Sequence, residues 1–398
     1  MQRREFLKFS GGLGIAYCLP LPGVSAANMP PAAYEKSAYD NLLVMVELKG
    51  GNDSLNMAIP YADPLYYRLR PQIAIARDKV LQLDQNLGFH PGMAALMPLW
   101  KNKELAVVRG LGYPAPNLSH FRSIEIWDTA SNADQFLQDG WLSRTFAAKA
   151  TPALYSADAV VIGSSDLGPM AGGARTIALA NTEQFLNNAK LAQRAYSHGN
   201  PSLNHLFKVE ADIVRAAEGL RPPVKRAFTT VFPKGTFGNV VKTAAEVVAN
   251  GEQTGKRVAV LRLTIGNFDT HQNQNAAQAA LLTELAEGLA ALKSALVELQ
   301  RWDRSLILTY AEFGRRPAEN LSGGTDHGTV STHLVLGGRV RGGLHGPQVN
   351  LGALDGSGNL PFALDFRRLY ATVLGQWWGV DASAVLHGKF APLDLLRA

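Results

Sequence analysis

The sequence predicts an α/β protein whose core is one largely parallel β-sheet. Two observations carry that prediction. Nearly continuous apolar runs recur along the chain and stop at glycine or polar turns, the pattern of parallel strands buried on both faces. Between them lie stretches with alanine and leucine at helical spacing, and strands that alternate with helices form a parallel sheet covered on both sides.

The first run, residues 42–48, is Leu42-Leu43-Val44-Met45-Val46-Glu47-Leu48, and it ends in Lys49-Gly50-Gly51-Asn52-Asp53-Ser54. A helix is expected over 92–100 and a second strand over 105–110. Further strands are expected at 258–263, 305–310 and 334–337, with a long helix over 275–300 between the first two. From about 185 to 250 the pattern is mostly helical, including 202–219, and it breaks at Pro222-Pro223. That stretch reads as a helical insertion in one α/β domain spanning 28–398.

Residues 1–27 read as a leader rather than as part of the fold. Arg3-Arg4 precede Phe6-Leu7-Lys8, a mild apolar stretch covers 11–21, and small residues follow at Val24-Ser25-Ala26-Ala27. This is the layout of a twin-arginine signal peptide. The twin-arginine export machinery is therefore an expected partner, and the expected location is periplasmic or secreted. The apolar stretch falls short of the roughly 20 residues a membrane span needs, so no stable membrane anchor is expected. Cys18, the only cysteine, lies inside the leader. Disulfides, thiolate-held zinc and a cysteine nucleophile are thereby excluded from the mature chain. The net charge of +6 comes without a Lys/Arg run or interleaved aromatics, so no nucleic-acid partner is expected.

Ligands of open α/β sheets collect beyond the carboxyl ends of the strands, and those ends hold an ordered set of reactive residues. Asp53 follows the first strand. Ser119, His120 and Arg122 lie past the second, after Tyr113-Pro114-Ala115-Pro116. Asp269 and His271 follow 258–263, and Glu312 ends 305–310. Thr325-Asp326-His327-Gly328 comes after a short glycine loop, and His333 stands immediately before 334–337. Carboxylate oxygen with imidazole nitrogen is the donor mix of zinc or manganese, and two such ions about 4 Å apart clamp both oxygens of a phosphoryl transfer. One or two divalent ions are expected. Ser119, at a helix start, is either a nucleophile activated by metal and helix dipole or only a helix cap. Arg122, one turn on, is the expected clamp for two phosphoryl oxygens. His120 is expected to meet the leaving group or substrate.

Five segments carry a resemblance to a known family: Leu48-Lys49-Gly50-Gly51-Asn52-Asp53-Ser54-Leu55-Asn56, Asn117-Leu118-Ser119-His120-Phe121-Arg122-Ser123, Phe268-Asp269-Thr270-His271-Gln272-Asn273-Gln274, Glu312-Phe313-Gly314-Arg315 and Gly324-Thr325-Asp326-His327-Gly328. They resemble the DUF1501 family of exported bacterial proteins, and the similarity continues to Gln376-Trp377-Trp378-Gly379. That family in turn resembles a distant branch of the alkaline phosphatase and sulfatase superfamily. The resemblance implies an alkaline-phosphatase-like three-layer sandwich. It also implies a metal-binding Asp after the first strand, a Ser or Thr nucleophile at a helix start, and later Asp and His ligands. Asp53, Ser119, Asp269, His271, Asp326, His327 and His333 match those places in order.

The chain departs from the superfamily at three points. The spacing is Asp-x-His where Asp-x-x-x-His is common. Glu312 occupies the strand end where an Asp-His pair is usual, so either Glu312 or Asp326 is the ligand. No Cys/Ser-x-Pro-x-Arg segment is present, which excludes the sulfatase type of nucleophile. The activity implied is metal-dependent hydrolysis of a phosphate mono- or diester, with a small anionic or envelope-derived substrate. The alternative is a binding or scaffold protein that keeps the fold without catalysis.

Overall fold

The computed structural model describes residues 37–179 and 226–397. The expected leader, and the expected insertion up to residue 225, lie outside the described residues. The strands of the main sheet and of the hairpin beside it are β1 (Leu42–Leu48), β2 (Leu105–Gly112), β3 (Ala159–Ile162), β4 (Thr176–Leu179), β5 (Val260–Ile265) and β6 (Ser305–Tyr310), then β7 (Gly314–Glu319), β8 (Thr325–Gly328), β9 (Ser331–Leu336), β10 (Gly343–His345) and β11 (Leu364–Asp365); Ala58–Ile59, Leu81–Gln82 and Gly88–Phe89 form a small third sheet. The main sheet runs β10-β2-β9-β6-β1-β5-β3-β4, with β11 also paired to β2. Every pairing in it is parallel except those of β9, which runs antiparallel to β2 and β6. β7 and β8 form a separate hairpin.

β1 is central and buried along its whole length. Its side chains alternate between two cores, as strand geometry requires. Val44, Val46 and Leu48 enter one core, with residues of α3 (Thr236–Thr254) and α4 (Gln274–Glu298). Leu43 and Met45 enter the other, with Trp127 of α1 (His120–Thr129), Trp141 of α2 (Trp141–Ala148) and Tyr370 of α5 (Arg367–Ala371). α4 buries Leu282, Leu285, Leu289, Leu292 and Leu296, an i+3/i+4 stripe facing the sheet. The result is a three-layer α/β sandwich with a largely parallel centre.

The differences from expectation are local. The strand expected at 258–263 begins two residues later, at Val260. The helix expected at 92–100 is a 3-10 segment, Pro91–Leu96, running into a short α-helix, Met97–Lys101. Pro91 and Pro98 each remove an amide donor, which leaves little room for a longer α-helix. The last strand starts at Ser331 rather than after His333, so His333 lies within β9. The described part of the expected insertion runs into α3, which packs against α4 and β5. No helix among the described residues is long and apolar enough to cross a membrane.

Candidate metal centre

The strand ends meet because two glycines let the backbone fold tightly. Gly50 and Gly51 have φ of +115° and +75°, a region that L side chains avoid. A Cβ on Gly50 would stand 2.5 Å from the Asp269 amide nitrogen. The Phe268 amide donates to the Lys49 carbonyl at 3.1 Å, which ties the β1 turn to the segment after β5. Asn267 and Asn273, both left-handed, bracket Asp269-Thr270-His271.

Arg315, fully buried on β7, holds these pieces together. Its Nε donates to the Gly51 carbonyl at 2.7 Å and its Nη1 to the Thr325 carbonyl at 2.9 Å. Its Nη2 donates to the Gly50 carbonyl and, at 2.5 Å, to Asp269 Oδ1. Partial burial works against the charged form of Asp269. The Arg315 hydrogen bond and charge, with His120 and His271, outweigh it and hold this carboxyl below its usual range.

Around Asp269 three imidazoles converge. Oδ1 lies 3.0 Å from His271 Nε2 and 3.3 Å from His327 Nε2. Oδ2 lies 3.3 Å from His120 Nε2. The Nε2 atoms of His271 and His327 are 3.0 Å apart. The far side of each ring has its own partner. His120 Nδ1 donates to Glu312 Oε1 at 2.9 Å, and His327 Nδ1 donates to the Leu118 carbonyl at 2.8 Å. His271 Nδ1 is 3.6 Å from Asp326 Oδ1. Phe313 packs against the His120 and His327 rings, with centroids 4.9 and 4.3 Å away.

A carboxylate and a carbonyl can only accept, so those contacts put the ring protons of His120 and His327 on Nδ1. The Nε2 atoms of the two rings then face the Asp269 carboxylate. His120, Asp269 and His327 are the ligand-type group that meets closely enough to hold an ion among the described residues. His271 adjoins it, its Nε2 3.0 Å from both Asp269 Oδ1 and His327 Nε2, close to the roughly 3.3 Å between neighbouring donors of a tetrahedral zinc with bonds near 2.0 Å. Second ring nitrogens held by carboxylate or carbonyl are the usual outer shell of such ligands. The side chains fit a divalent ion.

The other residues read from the sequence take different places. Ser119 is the N-cap of α1; its side chain makes no capping bond and it is exposed, one residue from His120. Glu312 is buried and takes an outer place. Its Oε1 accepts from His120 and, at 2.9 Å, from the Gly50 amide, while Oε2 is buried without a hydrogen-bond partner. Asp326 also takes an outer place, accepting from Asn320 at 3.1 Å beside His271.

Three expectations need correction. Asp53 is not in the cluster. Its fully buried carboxylate is held by Arg70 at 2.5 and 3.0 Å and by Gln274 at 2.5 Å, leaving no oxygen for a metal. His333 is in the core, edge-on to Trp127 at 5.3 Å and beside Thr309 at 3.3 Å. Burial there pushes its pKa down to about 3. Arg122 is not free to clamp an anion. It donates to the carbonyls of Asn132, Ala133 and Gln135, pairs with Glu125 at 2.9 Å and lies 3.9 Å over the Phe136 ring.

Sequence reasoning assigns no role to Arg315 or Phe313, and His120, expected at the leaving group or substrate, instead faces Asp269. Glu312-Phe313-Gly314-Arg315 was visible as a motif, and an arginine three residues beyond a strand-end acid was the available signal.

A family model described as "Protein of unknown function (DUF1501)" matches residues 90–390. No curated protein matches. Among solved structures, the chain is similar to a phosphonate monoester hydrolase from Silicibacter pomeroyi, at 12% identity and a TM-score of 0.42, covering 89% of this chain and 76% of that one. It is similar to the lipoteichoic acid synthase LtaP from Listeria monocytogenes, at 9% identity and a TM-score of 0.34, covering 78% and 67%. It is also similar to the zinc-complexed C-terminal periplasmic domain of EcEptC from Escherichia coli, at 10% identity and a TM-score of 0.35, covering 78% and 77%.

Proposed function

The chain belongs to the DUF1501 family, and from that premise we propose that it is an exported hydrolase of phosphate mono- or diesters that works with one divalent ion. The observation that carries this reading is the convergence of the His120, His271 and His327 Nε2 atoms on Asp269, with separations of 3.0–3.3 Å. Zinc suits three imidazoles and a carboxylate better than manganese does. Among the described residues no second group of ligands meets closely enough for another ion, Asp53 being committed to Arg70 and His333 to the core. Export through the twin-arginine pathway, after folding and metal loading, belongs to the same reading.

Bound at these four residues, a divalent ion supplies Lewis acidity toward a phosphoryl oxygen. The chain supplies the rest. Ser119 is the nucleophile: its Oγ forms a bond to phosphorus, the phosphorus–oxygen bond to the leaving alcohol breaks, and the serine proton ends on that alcohol. Water then cleaves the phosphoserine and restores the hydroxyl. The first-turn amides of α1, without intrahelical acceptors, are the donors available to phosphoryl oxygens at Ser119. Glu312 and the Leu118 carbonyl hold two rings in the tautomer that presents Nε2.

Elemental analysis of the purified protein tests this. About one equivalent of zinc is expected, lost in Asp269→Ala and kept in Ser119→Ala, with ester turnover lost in both. A wild type that purifies empty and refuses added zinc would sink the proposal. One observation favours the rival reading of a fold kept for binding alone: Arg315 already places a positive charge 2.5 Å from Asp269 Oδ1. On that reading the same experiment finds no metal.

A further inference from the structure

Gln274, the first residue of α4, is fully buried and bonds to residues that neighbour the metal ligands in the chain. Its Oε1 accepts from the Thr270 hydroxyl at 3.1 Å and from the Thr325 hydroxyl at 2.7 Å. Thr270 stands between Asp269 and His271, and Thr325 stands two residues before His327. The segment carrying Asp269 and His271 and the strand carrying His327 are thus held to one oxygen atom. Gln274 Nε2 donates to Asp53 Oδ2 at 2.5 Å and to Gln278 Oε1 at 3.2 Å. The amide spends both lone pairs and both hydrogens. The backbone makes the same tie: the Gln274 amide donates to the Gly323 carbonyl at 2.9 Å, and the Thr325 amide to the Thr270 carbonyl at 3.2 Å.

A threonine hydroxyl can give or take a hydrogen bond, so it does not choose between the two ends of an amide. A carboxylate only accepts. Asp53 therefore turns the nitrogen of Gln274 toward itself and leaves the oxygen to the two hydroxyls. What depends on this is a short separation. His271 Nε2 and His327 Nε2 stand 3.0 Å apart on residues 56 apart in the chain. A metal site tolerates errors of only about 0.5 Å in its ligands, and packing around those ligands has to supply that precision.

We infer that Gln274 is a positioning residue for the metal centre. Its amide oxygen sets His271 against His327 through Thr270 and Thr325, and the buried charge of Asp53 orients that amide. The inference rests on the metal-dependent hydrolase reading above. Gln274 acts from the buried side, without contact to ion or substrate.

Titration of the metal-free protein with cobalt(II) tests this, because cobalt's visible absorption reports ligand geometry without any turnover. Gln274→Met keeps the length of the side chain and removes the amide. It is expected to bind cobalt at least about 10-fold more weakly and to shift the absorption bands. The double variant Thr270→Val, Thr325→Val removes the two donors at nearly constant volume and is expected to shift the bands in the same way. Should Gln274→Met fail to fold, the threonine pair carries the same prediction. Combining all three substitutions is expected to add less than about 2-fold, since both sets break one contact. Leu289→Ala, in the core on the same helix, is expected to lower the urea midpoint and leave the bands in place.

Bands and affinity unchanged in the folded variants, full additivity of the two sets, or an equal shift in Leu289→Ala would each overturn the inference. The last would reduce Gln274 to a contributor to helix stability. A wild type that binds cobalt normally while the variants match it overturns the inference alone. A wild type that takes up neither cobalt nor zinc overturns the hydrolase reading and the inference with it.

Discussion

Two carboxylates follow central strands of the sheet, and their fates are opposite. Asp53, after β1, is fully buried, and both its oxygens are taken by Arg70 and Gln274. Asp269, after β5, is less than half exposed and faces three imidazole nitrogens, with one arginine behind it. The first is a closed account of donors and acceptors, complete without any further group. The second gathers three ring nitrogens within 3.0–3.3 Å of a partly exposed carboxylate, a donor set compatible with a bound cation. The same residue type at equivalent strand ends is structure in one place and site in the other, and the difference lies in what fills the remaining valences.

The largest test of that contrast is at Arg70. Arg70→Met strands a buried charge on Asp53, and stability is expected to fall by about 3–5 kcal/mol, read by urea unfolding. Zinc bound per folded molecule should not change. A loss under about 1 kcal/mol would mean that the pair is not the closed structural unit described.

The reverse pattern is expected at Glu312. Glu312→Gln weakens the acceptor that orients His120 and is expected to lower zinc affinity by about 10–100-fold, with unfolding close to wild type. Competition with a metal chelator measures it, and an unchanged affinity would remove Glu312 from the outer shell.

At neutral pH the smallest effect is that of His333, which emerges only in acid. Its folded pKa is depressed to about 3, against about 6.5 in an unfolded chain. Above pH 6.5 both states are neutral there and stability is unaffected. As pH falls from 6.5 toward 3 the unfolded state takes up a proton that the folded state refuses, and stability declines by up to about 1.4 kcal/mol per unit. His333→Phe should flatten the stability profile between pH 6.5 and 4. A profile identical to wild type would show that other groups set the acid limb.

Much of this was legible in the sequence. The runs at 42–48 and 305–310 became β1 and β6 because strands buried on both faces have no reason to alternate polar with apolar. Asp269 and His271 could be placed near one another because they follow the end of β5 directly, whereas His327, expected in a loop, lies within β8. Asp53 could not be separated from them, since its partner Arg70 follows a different short helix, Pro64–Leu69, and nothing local links the two. Arg122 looked free because the carbonyls that hold it, at 132, 133 and 135, are backbone atoms without a side-chain signature. His333 was misplaced by the boundary of one strand. Three residues of extra β9, Ser331 to His333, move an imidazole from the rim into the core.

The pairing of β1 sets the order in which the molecule can be assembled. Leu43 aligns with Val260 and Leu42 with Ser305, so the central strand meets both its neighbours more than 200 residues after it is synthesised. Until then a seven-residue apolar segment has neither edge satisfied, and loop-closure entropy delays its capture. The heart of the sheet is therefore completed late, from the second half of the chain inward. During that interval the nascent protein is open to strand-by-strand association with other chains, and a cell that makes it must keep the first 250 residues solitary until the rest arrives.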